Sequence, residues 1–234
     1  MTDLEQRLQL IGVSRCFRSD AETVWAVRDV SLTARGGELL LISGASGSGK
    51  TTLLNVVAGL DEPQQGVVRV AGHDVTSLDD TGRVRLRAEL VGVVFQDHRL
   101  IDEFTAAENV ALVLEACGRA SAAAFEEAER TLLRVGLAGL SDRRPEQLSG
   151  GQRQRVGIAR ALVGDRCVLL ADEPTGSLDS KASLEIFALL RSLSDDGVLV
   201  VLCSHDPRAA GFADRHFTMV DGSMEPQVGA GADA

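Results

Sequence analysis

The sequence predicts an α/β fold: a mainly parallel sheet flanked by helices and interrupted once by a lobe of helices alone. Three observations carry this. Short, continuously apolar runs bounded by turn residues recur along the chain, as buried parallel strands require. Segments with helical spacing alternate with them. Across residues 105–161 the strand-like runs stop and only helical spacing remains.

In chain order, strands are expected at residues 27–32, 39–42, 67–70, 91–95, 168–171, 198–203 and 216–220,. Residues 51–58 carry a helical pattern that stops at Gly59, a residue suited to ending helices,. Residues 80–89 are rich in arginine and begin with a capping-box-like pair, Ser77 and Asp80, so they read as a solvated helix face,. In the helical lobe Phe125, Ala128, Leu132, Leu133 and Val135 recur at helical spacing. Residues 183–193 set Leu184, Ile186, Phe187 and Leu190 on a core-facing stripe,. From Pro226 the chain is rich in Gly and Ala without periodicity, and residues 226–234 are expected to fray,.

At 234 residues, with 44% apolar and 25% charged residues, the composition suits one globular domain with an inserted lobe better than two independent domains,. Aromatics are only 3%, with no Tyr, so Leu, Val and Ala must fill the core. The net charge of −10 argues against a nucleic-acid groove, which needs clustered Lys and Arg,. Cys16, Cys117, Cys167 and Cys203 show no C-x-x-C pairing and sit mostly in apolar stretches. They read as buried reduced thiols, which fits the cytoplasm,. The N-terminus is too polar for a signal peptide, and no apolar run approaches the ~20 residues that cross a bilayer, so membrane work would need a partner,.

The run Gly44, Ala45, Ser46, Gly47, Ser48, Gly49, Lys50, Thr51, Thr52 follows an expected strand and opens an expected helix. That is the setting of a phosphate-binding P-loop. Its glycines let backbone N–H groups turn toward phosphate oxygens, and the helix N-terminus adds a positive dipole end. Lys50 would reach the β- and γ-phosphates, and the Thr51 hydroxyl would ligate Mg²⁺. The loop alone indicates only a nucleotide.

A second apolar strand ends in Asp172 and Glu173. Adjacent strand residues point to opposite faces, so the two acids suit different tasks. Asp172 is placed to hold Mg²⁺ and Glu173 to polarise an attacking water.

The run Leu148, Ser149, Gly150, Gly151, Gln152, with Arg153-Gln154-Arg155 and Ile158-Ala159-Arg160-Ala161 behind it, resembles the signature of ABC ATPases. Ser149, Gly150 and Gly151 would open a helix and form a second anion site. The resemblance spans nearly the whole chain and takes in Gln96 after Val94-Phe95, Ser177-Leu178-Asp179, and His205 in Cys203-Ser204-His205-Asp206, all in the family's order. It implies a P-loop NTPase with a RecA-like core at residues 1–96 and 162–225. A small antiparallel β subdomain and a helical signature subdomain at residues 97–161 complete the expected layout. It also implies a head-to-tail pair of ATPase subunits, most simply a homodimer, that shares two MgATP between P-loop and signature. Gln96 would contact Mg²⁺ and the attacking water, His205 the γ-phosphate, and Asp179 the opposite subunit. The bland alternatives are a surface glutamine, a loop histidine and a helix cap.

The family usually stacks an aromatic residue, commonly Tyr, on adenine. Phe17 is the candidate here and Trp25 the alternative,. Asp172-Glu173-Pro174-Thr175-Gly176 and Phe95-Gln96-Asp97-His98-Arg99-Leu100, followed by Glu108-Asn109-Val110, are similar to the branch of lipoprotein-release, macrolide-export and cell-division ATPases. That likeness implies an integral membrane permease partner and a place on the inner face of the cell membrane. A soluble ABC ATPase without transport, or a regulator of the cell-division type, is the competing class.

Overall fold

A computed structural model describes residues 6–18 and 22–227. In chain order it contains β1 (Gln6–Arg18), β2 (Thr23–Arg35), β3 (Leu39–Ser43), α1 (Lys50–Val57), β4 (Gln65–Val70), β5 (His73–Asp74), α2 (Asp80–Glu89) and β6 (Val91–Val94). The lobe follows with α3 (Ala106–Ala116), α4 (Ser121–Arg134) and α5 (Gly150–Leu162). The chain then returns through β7 (Val168–Asp172), α6 (Ser180–Asp195), β8 (Leu199–Cys203), β9 (Arg215–Val220) and β10 (Ser223–Pro226).

Two sheets result. The larger has the order β10-β9-β3-β8-β7-β6, parallel throughout except for β10 at its edge. The smaller is antiparallel with the order β2-β1-β4-β5. Alternation along β3 divides the interior in two. Leu40 and Ile42 join the smaller sheet and α1 in one core, whereas Leu39 and Leu41 join α6 and the helical lobe in the other. Both faces of the large sheet are thereby covered, which explains why the inner strands β3, β7 and β8 are almost continuously apolar,.

Several expectations need correcting. β1 has no counterpart in the sequence reading, because its buried residues Leu8, Leu10, Val13 and Cys16 do not alternate. Register shifts around Gly12 break the period of two,. β2 is longer than residues 27–32. β6 stops at Val94, so Gln96 lies in a turn beyond the strand rather than at its end. Asp79, not Ser77 with Asp80, caps α2 by accepting from the Gly82 N–H at 2.7 Å. Leu184, Phe125 and Leu133 face solvent, at 42%, 38% and 64% exposure. Cys117 is exposed, although Cys16 and Cys203 are buried. Pro226 belongs to β10, and residues 228–234 lie outside the described residues. No helix among the described residues is long and apolar enough to cross a membrane.

The lobe meets the core where α5 ends against β6. A Cβ at Gly92 would sit 1.8 Å from the Ala161 carbonyl oxygen, so only glycine allows this approach. We expect Gly92→Ala to destabilise the chain by about 3 kcal/mol, from the usual cost of overpacking. A lowered urea midpoint with an unchanged slope would register it.

Candidate functional site

Ladder register decides where the chemistry collects. Ile42 on β3 and Asp172 on β7 both pair with Cys203 on β8, so the carboxyl ends of the three strands finish level. The loops leaving them carry residues 44–49, Glu173 and His205. The crevice beyond the carboxyl ends of parallel strands is where such sheets bind ligands.

The first loop is built around close approach. Gly44 (φ 146°) and Gly49 (φ 109°) hold conformations that L side chains avoid, and added Cβ atoms would lie 2.3 Å from the Met219 carbonyl oxygen and 1.9 Å from that of Ala26,. Gly49 is the N-cap of α1 and gives it no side-chain cap, leaving the first-turn N–H groups to face a ligand,. Lys50 is 7% exposed and donates to the Gly44 and Ala45 carbonyl oxygens at 2.8 and 2.9 Å. The buried Ser48 hydroxyl finds no hydrogen-bond partner among the described residues.

Thr51 donates its hydroxyl to Asp172 Oδ2 at 2.7 Å. The other oxygen, Oδ1, is buried and unpartnered among the described residues. Burial pushes the Asp172 carboxyl up from the usual carboxylate range, the Thr51 hydrogen bond opposes this, and the neighbouring Glu173 charge adds to it. A hydroxyl beside a carboxylate with an orphaned oxygen is a hard-oxygen donor set, and it suits Mg²⁺. Glu173 has φ 47°, an uncommon conformation for a non-glycine residue, and its N–H is tied to the Cys203 carbonyl at 2.9 Å,. Its Oε2 lies 2.9 Å from His205 Nδ1 and accepts from the His205 N–H at 3.3 Å. Gln96 packs beside Gly176, where an added Cβ would meet its Nε2 at 3.0 Å.

These groups share one cleft of about 590 Å³. Its walls include Gly44, Ala45, Ser46, Gly47, Gly49, Lys50, Thr51 and Thr52 from the loop, and Gln96, Asp172, Glu173 and His205 opposite. Ala26, which no motif marked, completes it. The signature lies elsewhere, in a second cleft of about 500 Å³ with Ser149, Gly150, Gly151, Gln152, Ser177, Leu178 and Asp179. Arg155, from the run behind the signature, and Glu185, which no motif marked, pair at 3.2 Å and line this second cleft. Ser149 caps α5 in a reciprocal box with Gln152. Asp179 caps α6 by accepting from the Ala182 N–H at 2.8 Å. Phe17 is 46% exposed with the Arg15 guanidinium 4.8 Å above its ring. Neither Phe17 nor Trp25 is among the residues lining the first cleft.

Residues 27–176 match the family model described as ABC transporter. The chain belongs to the ABC transporter family. It is 44% identical over 223 residues to the macrolide export ATP-binding/permease protein MacB 1 of Yersinia pestis bv. Antiqua (strain Antiqua), covering 95% of this chain and 34% of that protein. It is 45% identical over 217 residues to MacB of Salmonella typhi, covering 93% and 34%. The chain thus spans about a third of the length of these relatives. Among solved structures it is similar to the ATP-binding cassette MJ0796 as a dimer bound to ADP and Pi. There the TM-score is 0.84 and the identity 36%, over 95% of this chain and 99% of that one. A second dimeric structure of MJ0796 matches with TM-score 0.84 and 37% identity, again over 95% and 99%. The fold is that of the ABC cassettes, a P-loop NTPase core.

Burial of an ionised carboxyl with one oxygen left unpartnered costs stability,. We expect Asp172→Asn to melt a few degrees above the unaltered chain without nucleotide, and to lose most of the further rise that MgATP produces. Differential scanning calorimetry with and without MgATP measures both.

Proposed function

We propose that this chain binds and hydrolyses MgATP as half of a head-to-tail pair and drives a membrane permease. The observation that carries the reading is the division of anion-binding groups between two clefts. One has the P-loop and the acids, the other has the signature, and the two have no lining residue in common. Two copies arranged head to tail would complete each P-loop cleft with a partner's signature. The dimeric state of the similar cassette bound to ADP and Pi supports this arrangement.

In the closed pair Lys50 exchanges its loop carbonyls for phosphate oxygens, and the free N–H groups at the start of α1 take others. Thr51, Asp172 and Gln96 are the residues to hold Mg²⁺, which neutralises charge on the phosphate oxygens when bound. Glu173 orients a water for in-line attack and accepts its proton as the new bond to the γ-phosphorus forms and the bond to the ADP oxygen breaks. His205, released from Glu173, meets the γ-phosphate. Ser149, Gly150, Gly151 and Gln152 of the opposite copy close over the same phosphate, with Asp179 beside them. Loss of that phosphate removes the bridge and opens the pair. Phe17 is the proposed adenine platform, with Trp25 second.

The likeness to ATP-binding/permease proteins supports a permease partner and a position against the inner face of the membrane. Export is the direction it favours. Co-purification of the chain with a multi-span protein from membranes tests this part.

Glu173→Gln should retain ATP binding, lower hydrolysis roughly 100-fold or more, and run as a dimer in ATP on a sizing column. Undiminished phosphate release would remove Glu173 from its role. Lys50→Ala should weaken nucleotide binding about tenfold, equivalent to ~1.4 kcal/mol, in a titration with fluorescent ATP.

A further inference from the structure

A short polar strap runs through Arg208, a residue that none of the motifs includes. Asp206 directly follows His205 and caps the 3₁₀ turn Pro207–Phe212, its Oδ1 accepting from the Arg208 N–H at 2.9 Å. The Arg208 side chain folds back on the same carboxylate. Its Nε donates to Oδ1 at 2.9 Å and its Nη2 to Oδ2 at 2.6 Å. The remaining arm, Nη1, reaches across to the Ser180 carbonyl oxygen at 3.1 Å. Ser180 opens α6 and follows Asp179, which lines the signature cleft. One planar guanidinium therefore spans from the residue after His205 to the residue after Asp179.

Two further features make this strap stiff. Ala209 is fully buried in the core shared with α6, and Phe212 packs on Phe187 of α6 with ring centroids 5.8 Å apart. The 3₁₀ turn is thus seated on α6 at one end and strapped to its first turn at the other. Hydrogen bonding from Arg208 holds the Asp206 carboxyl below the usual carboxylate range. A bidentate fork holds orientation as well as distance, which a single ammonium does not.

We propose that Arg208 is a positioning residue that ties the His205 loop to the start of α6, so that the signature cleft responds to the state of the ATP cleft in the same chain. This rests on the ATPase reading above. When His205 leaves Glu173 for a γ-phosphate, the Asp206–Arg208 fork carries the movement to Ser180 and to Asp179 beside it. Because Asp179 faces the opposite copy's nucleotide in the proposed pair, the strap gives each chain a link between the two ATP sites.

The test compares the unaltered full chain with Arg208→Ala, Arg208→Lys and Arg191→Ala. Arg191 also bonds several groups, Asp214 at 2.6 Å among them, and is not among the residues lining either cleft. For each we would measure the Hill coefficient and kcat of ATP hydrolysis, the affinity for fluorescent ATP, and the melting temperature. The unaltered chain should show a Hill coefficient above 1. Arg208→Ala should bring it close to 1 and lower kcat roughly fivefold, a coupling of ordinary size, with nucleotide affinity within about twofold. Arg208→Lys should fall between, and Arg191→Ala should lower the melting temperature while leaving the Hill coefficient unchanged.

A coefficient of 1 in the unaltered chain, or one that Arg208→Ala leaves in place, overturns the proposal. So does a loss that tracks melting temperature alike in Arg208→Ala and Arg191→Ala. An unaltered chain that neither binds nor hydrolyses ATP overturns the ATPase reading first, and the role of Arg208 falls with it.

Discussion

The site depends on one register. Ile42, Cys203 and Asp172 share a rung of the ladder across β3, β8 and β7, and this rung decides which loops meet. A slip of one residue would turn every side chain of a strand to the other face. Here both faces are buried, against α1 and the smaller sheet on one side and against α6 and the lobe on the other, so each strand has two cores resisting the slip. The hydrogen bond from the Glu173 N–H to the Cys203 carbonyl extends the same register beyond the end of β7. The left-handed conformation of Glu173 is held by that contact.

The smaller sheet does more than cover a core. Ala26 of β2 forms part of the wall of the P-loop cleft, and its carbonyl stands where a side chain at Gly49 would be. The turn between β9 and β10 closes the other side. Gly222 donates to the Ser48 carbonyl at 3.1 Å and accepts from the Arg28 N–H at 2.8 Å. The loop is therefore shaped by backbone groups of three separate elements, and its glycines are the points of contact. Backbone conformation and lack of room each demand glycine at both Gly44 and Gly49.

Much of this was legible in the sequence where chemistry and local structure coincide. The P-loop, the Asp172-Glu173 pair and the capped start of α5 each combine a residue pattern with the element that displays it. β1 was not legible, because register shifts near Gly12 spoil its alternation and its second partner, β4, lies far along the chain. Ala26 carries no chemistry in its side chain and matters only through where its backbone passes. The Arg208 fork combines a local contact with one to Ser180, 28 positions away, and no motif registers that pairing. Gln96 was expected at a strand end, but the strand releases it two residues early into a turn.

The Lys50 ammonium is nearly inaccessible, yet it has two carbonyl partners within its own loop. An unpartnered charge at that depth would be costly, and the loop would have to distort or open to relieve it. The Gly44 and Ala45 carbonyls satisfy the ammonium from within the loop and help hold the cradle in one shape. In the proposed reaction a phosphate arriving there performs an exchange of partners and has little ordering left to do. Affinity then measures how much better phosphate oxygens serve the ammonium than the loop's own carbonyls do.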